Sequence, residues 1–351
     1  MKRLLLLPLV ALLFAGCEKP TEPENATVAP AFQLIGVAQD YEPIDLGTLG
    51  GDQSWAYDIN RHGQVVGWSE TADGDLHAFL WEKGKITDLS PGKPDARAKA
   101  INDRGQVVGQ SGSPGNTVPV LWENGEMTVL GTQVGGVSAL DINNRGQVVV
   151  TRQDGCCTKF AFLWENGEEI DLGDPWGGNW VGPKKINERG QMVGSSRGLA
   201  GPYLRAFLWE DGVMTELRPL PTGPPGNTSH AMAINYRGQV VGFCHFTRHP
   251  NLWHAVLWED GEIIDLGGYP ESEYTFASDI NIHGQVVGYS RYRPDQGVEN
   301  RHALLWEDLV MTELSTLGGE FSEARSINNR GQIVGSSQTG DGHYRATLWT
   351  R

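Results

Sequence analysis

The sequence predicts an all-β fold: a seven-bladed β-propeller of four-stranded blades, with the last blade closed by the N-terminal strand. Three observations predict it. First, the phrase Ile-Asn-x-x-Gly-Gln occurs seven times, starting at Ile59, Ile101, Ile142, Ile186, Ile234, Ile280 and Ile327. Second, each copy is followed by a Leu-Trp pair, from Leu80-Trp81 to Leu348-Trp349, and the asparagines are 42, 41, 44, 48, 46 and 47 residues apart. A period of that length suits four short strands per unit. Third, the two ends of the repeat array complement each other. It begins with Ile44-Asp45-Leu46-Gly47, which matches a fourth strand such as Ile264-Asp265-Leu266-Gly267, and stops at Ala346-Thr347-Leu348-Trp349, a third strand. An N-terminal strand that completes the last blade removes a free sheet edge. An open solenoid would instead carry polar caps at its ends.

The first 16 residues stand apart from the repeats. Lys2-Arg3 precedes an apolar run, Leu4–Phe14, of 11 residues. That is too short for a membrane span of about 20 residues and fits a signal peptide. Phe14-Ala15-Gly16-Cys17 resembles the lipobox of bacterial lipoproteins. The resemblance implies cleavage before Cys17 and lipid on its thiol and new N-terminus; Phe14 departs from the usual Leu. The alternative is an ordinary secretory signal with an incidental cysteine. Residues 17–40 read as lipidated Cys and tether, since Pro20, Pro23 and Pro30 alternate with Glu and Thr without periodicity. Within this stretch Phe32–Ala38 is a candidate extra strand on the ring's edge. Residues 41–351 are the propeller.

The first repeat shows the elements in order. Trp55–Asn60 is strand A. Asn60-Arg61-His62-Gly63 is the turn: the asparagine bonds nearby backbone and the glycine supplies positive φ. Gln64-Val65-Val66 opens strand B with β-branched residues. In strand C, His77–Trp81, Ala78 and Leu80 lie on one face and Phe79 and Trp81 on the other. A strand apolar on both faces belongs in a covered sheet, so neighbouring units must stack on it. A turn at Lys83-Gly84 leads to strand D, Lys85–Leu89.

These phrases resemble the HAF family of bacterial extracellular repeats. The residues that carry the resemblance are His77-Ala78-Phe79-Leu80-Trp81-Glu82, Asp45-Leu46-Gly47-Thr48-Leu49-Gly50-Gly51 and the Ile-Asn phrase, over about residues 41–351. It implies an exported repeat protein and no particular activity. The histidine of the phrase stands only at His77, His254 and His302, which reads as a surface or edge residue of strand C and not a ligand.

Composition narrows the function classes. The net charge is −15, and removal of Lys2 and Arg3 with the leader makes it more negative. Lys and Arg form no stripe, which argues against nucleic acid. No basic amphipathic helix is present, so membrane attachment is through lipid alone. Apart from Cys17, the cysteines are Cys156, Cys157 and Cys244. The adjacent pair lacks zinc or redox spacing; a vicinal disulfide and a pair of loop thiols both stay open. There is no His-Glu-x-x-His, Gly-x-Ser-x-Gly or Walker phosphate loop, and no catalytic residue, metal site or cofactor is expected. Asp58, Asp141 and Asp279 precede the Ile-Asn pair, but Ala100, Lys185, Ala233 and Ser326 hold that position elsewhere. Without a full ring of carboxylates, their expected role is support of strand and turn.

The A–B and C–D turns share one face and barely vary. The B–C and D–A loops share the other and vary in length and content, as binding sites on rigid scaffolds do. The candidate ligand-binding residues are Trp176, Trp180, His245, His249, Trp253, Tyr274, Tyr292 and Arg293, all expected in or beside those loops. Aromatics with Arg and His suit a glycan, peptide or protein surface. The expectation is a monomeric, lipid-anchored binding module of the cell envelope, on the outer membrane if the source has one. A propeller enzyme acting on polysaccharide, as lyase or hydrolase, and a purely structural envelope protein are the alternatives.

Overall fold

The structure, a computed structural model, describes residues 36–38, 40–93, 95–131, 136–154, 158–199, 203–221, 228–245, 252–269, 272–292 and 300–351. Cys17, most of the tether and Cys156-Cys157 lie outside them. Of the candidate edge strand, Val37 makes one parallel bridge to Glu313.

Seven antiparallel four-stranded sheets form the blades, and the first strand of the chain belongs to the last of them. That closing strand is β1 (Glu42–Asp45). Blade 1 contains β2 (Gly50–Ile59), β3 (Val65–Thr71), β4 (Leu76–Glu82) and β5 (Lys85–Asp88). Blade 2 contains β6 (Arg97–Ile101), β7 (Val107–Ser111), β8 (Val118–Glu123) and β9 (Glu126–Val129). Blade 3 contains β10 (Val137–Ile142), β11 (Val148–Asp154), β12 (Thr158–Glu165) and β13 (Glu168–Asp171). Blade 4 contains β14 (Gly177–Ile186), β15 (Met192–Gly198), β16 (Leu204–Glu210) and β17 (Val213–Glu216). Blade 5 contains β18 (Ser229–Ile234), β19 (Val240–His245), β20 (Trp253–Glu259) and β21 (Glu262–Gly267). Blade 6 contains β22 (Tyr274–Ile280), β23 (Val286–Tyr292), β24 (Asn300–Glu307) and β25 (Val310–Glu313). Blade 7 contains β26 (Gly318–Ile327), β27 (Ile333–Thr339) and β28 (Tyr344–Thr350), with β1 as its fourth strand.

Closure is by main-chain hydrogen bonding. β1 runs antiparallel to β28 with Ile44 opposite Leu348, and the Leu46 N–H donates to the Ala346 carbonyl at 2.9 Å. Asp45 faces Arg345 at 3.7 Å. The same cross-strand pair recurs between strands C and D as His77–Asp88, Arg205–Glu216, His254–Asp265 and His302–Glu313. The histidines of the repeat phrase therefore hold the outer strand. His77 is buried, not a surface residue, because Asp88 and the packed blade cover it.

The repeated asparagine explains the repeated phrase. Each Asn Nδ2 donates to the main-chain carbonyl of the Asn in the next blade at 3.0–3.2 Å, and Asn328 returns the chain of bonds to Asn60. The same amide donates to the Gln four residues on, as in Asn60 to Gln64 Oε1 at 2.7 Å. Asn60 Oδ1 accepts from the N–H groups of His62 and Gln64. A buried amide with every valence met is a specific connector. The turn glycines have φ between 78° and 88°, as in Gly331 and Gly190.

The innermost strand of all seven blades carries a β-bulge just before the Ile-Asn pair, between Ala56 and Asp58 in blade 1 and between Pro183 and Lys185 in blade 4. A bulge places two residues against one on the partner strand and re-aims their side chains. Facing it, Gly67 has no room for a Cβ, which would lie 1.8 Å from the Trp55 carbonyl oxygen.

The Leu-Trp tryptophans pack between blades, but unequally. Trp306 and Trp349 are fully buried, whereas Trp81 and Trp164 are only half-buried. Strand A starts earlier than Trp55 in blade 1. β2, β14 and β26 each have 10 residues and open on Gly-Gly, which lets them approach strand B closely.

Candidate functional site

The bulges give the central channel two layers of axial side chains, one residue apart in sequence. The first layer lies toward the A–B turns. There Asp58, Asp141 and Asp279 meet Lys185, whose Nζ is 3.4 Å from Asp58 Oδ1 and 3.8 Å from Asp279 Oδ2. Asp58, Asp279 and Lys185 come from blades 1, 6 and 4, so the Lys185 side chain reaches across the axis. The Ser326 hydroxyl is 2.7 Å from Asp58 Oδ1 and 2.8 Å from Asp279 Oδ2. Each carboxylate also accepts from the next blade: Asp58 from the Ile101 N–H, Asp141 from Ile186 and Asp279 from Ile327, at 2.7–3.0 Å. The expected strand-supporting role thus describes half of what these aspartates do. The other half is to converge on one ammonium.

Electrostatics follow from that burial. Desolvation pushes the Asp141 carboxyl up to about 7, against the pull of Lys185. Asp279 is raised for the same reason, with Asp58 adding to the effect. Burial opposes the Lys185 charge, but Asp279, Asp58 and Asp141 outweigh it and hold the ammonium above its ordinary range. The cavity here has a volume of about 210 Å³. At about 30 Å³ per water it holds a handful of solvent molecules, and it falls short of the ~300 Å³ at which small-molecule pockets begin. Among the described residues, no group of three His, Cys, Asp or Glu is placed to hold a metal ion. Lys185 itself occupies the position a cation would take.

The second layer lies toward the loop face and has the opposite sign. Lys99 Nζ is 4.2 Å from the centroid of the Tyr57 ring, and the Arg325 guanidinium is 5.5 Å from the same centroid. Burial lowers Lys99 to about 8, and the charges of Arg97, Arg325 and Lys184 add to the shift. Lys184 is lowered by burial and by Arg325, which stands on blade 7 across the ring. Lys184 nevertheless keeps contact with water, as a side chain inside a wet channel does. Glu323 is fully buried, and it serves two guanidiniums, Arg301 and Arg325.

The candidate ligand residues divide into two groups. His245, Trp253 and Tyr274 come together in blades 5 and 6. The His245 and Trp253 rings are 5.1 Å apart, and Phe243 lies 5.5 Å from Trp253 and 4.6 Å from Phe276, linking the two. Tyr274 stacks on Phe276 at 6.1 Å and carries Arg291 over its ring at 4.3 Å. Trp176 and Trp180 stand apart in blade 4. Trp176 lies in the turn before β14, as expected of the D–A loop, and its half-buried ring leans on the core beside Phe207 at 6.5 Å. Trp180 lies within β14, not in a loop, and Lys159 sits over its ring at 5.3 Å. His245, Trp253 and Tyr274 are likewise strand-end residues, because strands B and C extend to the rim: His245 pairs with Trp253, and Trp253 bridges to Tyr274. Tyr292 ends β23. His249 and Arg293 lie outside the described residues.

Sequence reasoning missed the second layer and a further aromatic group. Trp55 stacks on Trp68 at 6.2 Å and on Tyr344 at 5.6 Å, with Phe321 edge-on at 5.8 Å. His230, in blade 5, stacks on Phe243 at 4.6 Å, and burial lowers it to about 4. A usable signal is present in the repeats. The position just before each Ile holds Asp, Ala, Lys or Ser, but the one before that includes Tyr57, Lys99, Lys184 and Arg325, large polar residues that a shared strand role does not call for.

No family model and no curated protein matches the chain. Solved structures match in fold. The β-propeller domain of the Trilobed protease from Pyrococcus furiosus, described as having an open velcro topology, superposes with a TM-score of 0.60 at 10% identity over 86% of this chain and 94% of that one. The acylaminoacyl peptidase of Pyrococcus horikoshii gives 0.55 at 10% identity over 84% of this chain, which spans 51% of the peptidase. The WD40 propeller domain of Doa1 gives 0.50 at 15% identity over 88% and 97% of the two chains. At these identities the likeness is one of fold: this chain is a β-propeller.

Proposed function

We propose that the protein is a binding module without catalysis of its own, exported, anchored by lipid at Cys17, and holding a glycan, peptide or partner protein at its loop face. The observation that carries this reading is the convergence of His245, Trp253 and Tyr274, half-buried rings on strand ends of adjacent blades. Half-exposed aromatics on a rigid frame bind flat or apolar groups at small entropic cost. The lipobox-like segment and the likeness to HAF repeats support an envelope location.

The test uses the full-length protein in detergent on glycan and peptide arrays, with pull-down from envelope extracts. Binding at micromolar affinity that Trp253→Ala weakens about tenfold or more is the expected result. A folded sample that retains nothing at that level refutes it. Metabolic labelling with a fatty acid, lost in Cys17→Ser, tests the anchor; equal label on the variant refutes lipidation there.

A further inference from the structure

Two cations of the loop-side channel layer, Lys99 and Lys184, lack the carboxylate partners that surface cations have in an acidic protein. The chain carries a net charge of −15, yet among the described residues Lys99, Lys184 and Arg97 form no salt bridge. The contacts of two of them are with rings: Lys99 on Tyr57 and Arg97 on Trp68 at 5.7 Å. Arg325 must share Glu323 with Arg301. Lys99, Lys184, Arg325 and the Tyr57 ring stand on β6, β14, β26 and β2, from four different blades, and the bulge that turns each inner strand aims them at one axis. Several like charges gathered around one narrow channel raise one another's energy. An incoming anion relieves that repulsion and gains charge-assisted hydrogen bonds from groups already in place.

We propose that Lys99 and Lys184, backed by Arg325, form an anion-binding site in the loop-side half of the channel that takes a carboxylate, sulfate or phosphate group. As an account of ligand chemistry this rests on the loop face being the binding face; as a site for a small anion it stands on the cation cluster alone. Lys99 is held near 8 by burial and by Arg97, Arg325 and Lys184. Lys99 gains its charge as pH falls through that value, and the affinity of the site declines above it as Lys99 loses its proton.

The experiment is calorimetric titration of the full-length protein with sodium sulfate, inorganic phosphate and galacturonate at pH 7 and constant ionic strength. A saturable site is expected, weakened about tenfold or more in Lys99→Gln/Lys184→Gln, where two charged donors are lost. Lys83→Gln, which removes a charge from an exposed C–D turn, is expected to bind as the wild type does. Competition between galacturonate and sulfate identifies a shared carboxylate site; galacturonate without effect restricts the site to inorganic oxyanions. Absence of saturable binding, or equal binding by the double variant, overturns the proposal. Should the double variant fail to fold, ¹⁵N signals of the wild-type lysine ammonium groups decide: sulfate must shift those of Lys99 and Lys184, and unchanged signals overturn it. An array ligand without an anion site leaves the binding module standing and removes this inference. An anion site without an array ligand does the reverse.

Discussion

Lys184 and Lys185 are neighbours in the chain and opposites in surroundings. Lys185 reaches into three carboxylates, which hold its ammonium above the ordinary range against the penalty of burial. Lys184 meets burial and the positive charge of Arg325, and its pKa is lowered. One peptide bond separates a neutralised cation on the turn side from an unneutralised one on the loop side. The bulge between Pro183 and Lys185 makes this possible, because without it successive side chains would point to opposite faces of the strand. The turn side is where the repeats agree and the loop side is where they differ. That contrast teaches that the ring uses its repetition for closure and leaves the other end of the same channel free to vary.

The largest expected effect tests the packing at the two ends. Trp349 is fully buried and donates to the Ser315 carbonyl at 2.7 Å, so Trp349→Ala should cost about 3–5 kcal/mol. Trp180 is half-buried near the loop rim, and its replacement by Ala should cost less than half as much. Urea unfolding measures both; equal losses would show that the loop end is packed as tightly as the turn end.

The lysine pair gives the next effect. Lys185→Met leaves the three carboxylates without a counterion. Breaking a buried pair costs about 3–5 kcal/mol, and since the Lys185 side chain is 26% exposed, about 2–3 is expected here. The penalty should shrink at pH 5, where Asp141 holds its proton. Lys184→Met should change stability by no more than about 0.5 kcal/mol. If the two variants unfold alike, the two layers do not differ as described.

Asn328→Ala sharpens the account of closure. It removes the bond to the Asn60 carbonyl and the acceptor for the Arg330 and Gln332 N–H groups, for a loss of about 1–3 kcal/mol. Amide exchange at Arg330 and Gln332 should accelerate selectively; unaltered protection there would show that the ring of asparagines contributes nothing to the turn.

The last effect is a slope, read as a dependence on pH and not as a single loss. Asp141 titrates near 7 in the fold against 3.8 as its ordinary value. Between those pH values the folded chain keeps a proton that the unfolded chain releases, so this residue makes stability fall as pH rises across the window. Asp141→Asn lacks that slope. Its stability relative to wild type should increase from pH 4 to pH 8, and a difference that stays flat would place the Asp141 titration elsewhere.

How much is legible in the sequence depends on which residues have to be compared. Asp45 can be matched to Asp265 within the repeat pattern, so the closing strand is readable from that pattern alone. Trp180 is different. The repeats share only the core of strand A near Trp55, and that shared core leaves Trp180 in a loop when it belongs to β14. The Gly-Gly pairs at Gly50, Gly177 and Gly318 mark the longer strands, and they read as turn residues unless strand B is known to lie against them. The sequence brings His245, Trp253 and Tyr274 to one rim, though as loop residues. Their contact depends on the parallel bridge between blades 5 and 6, which no local pattern encodes.

The sequence by itself determined the blade count, the four strands of each blade, the turn chemistry and the partner of the first strand. These depend on short-range hydrogen bonding and on a pattern repeated seven times. Only the tertiary structure decided which axial residues meet. Lys185 and Asp58 are 127 positions apart and touch because the closed seven-membered ring carries one of them to the far side of the axis. Charge placed on an axis is felt by every blade at once, so the sign of each end of the channel is a property of the closed ring and of no single repeat.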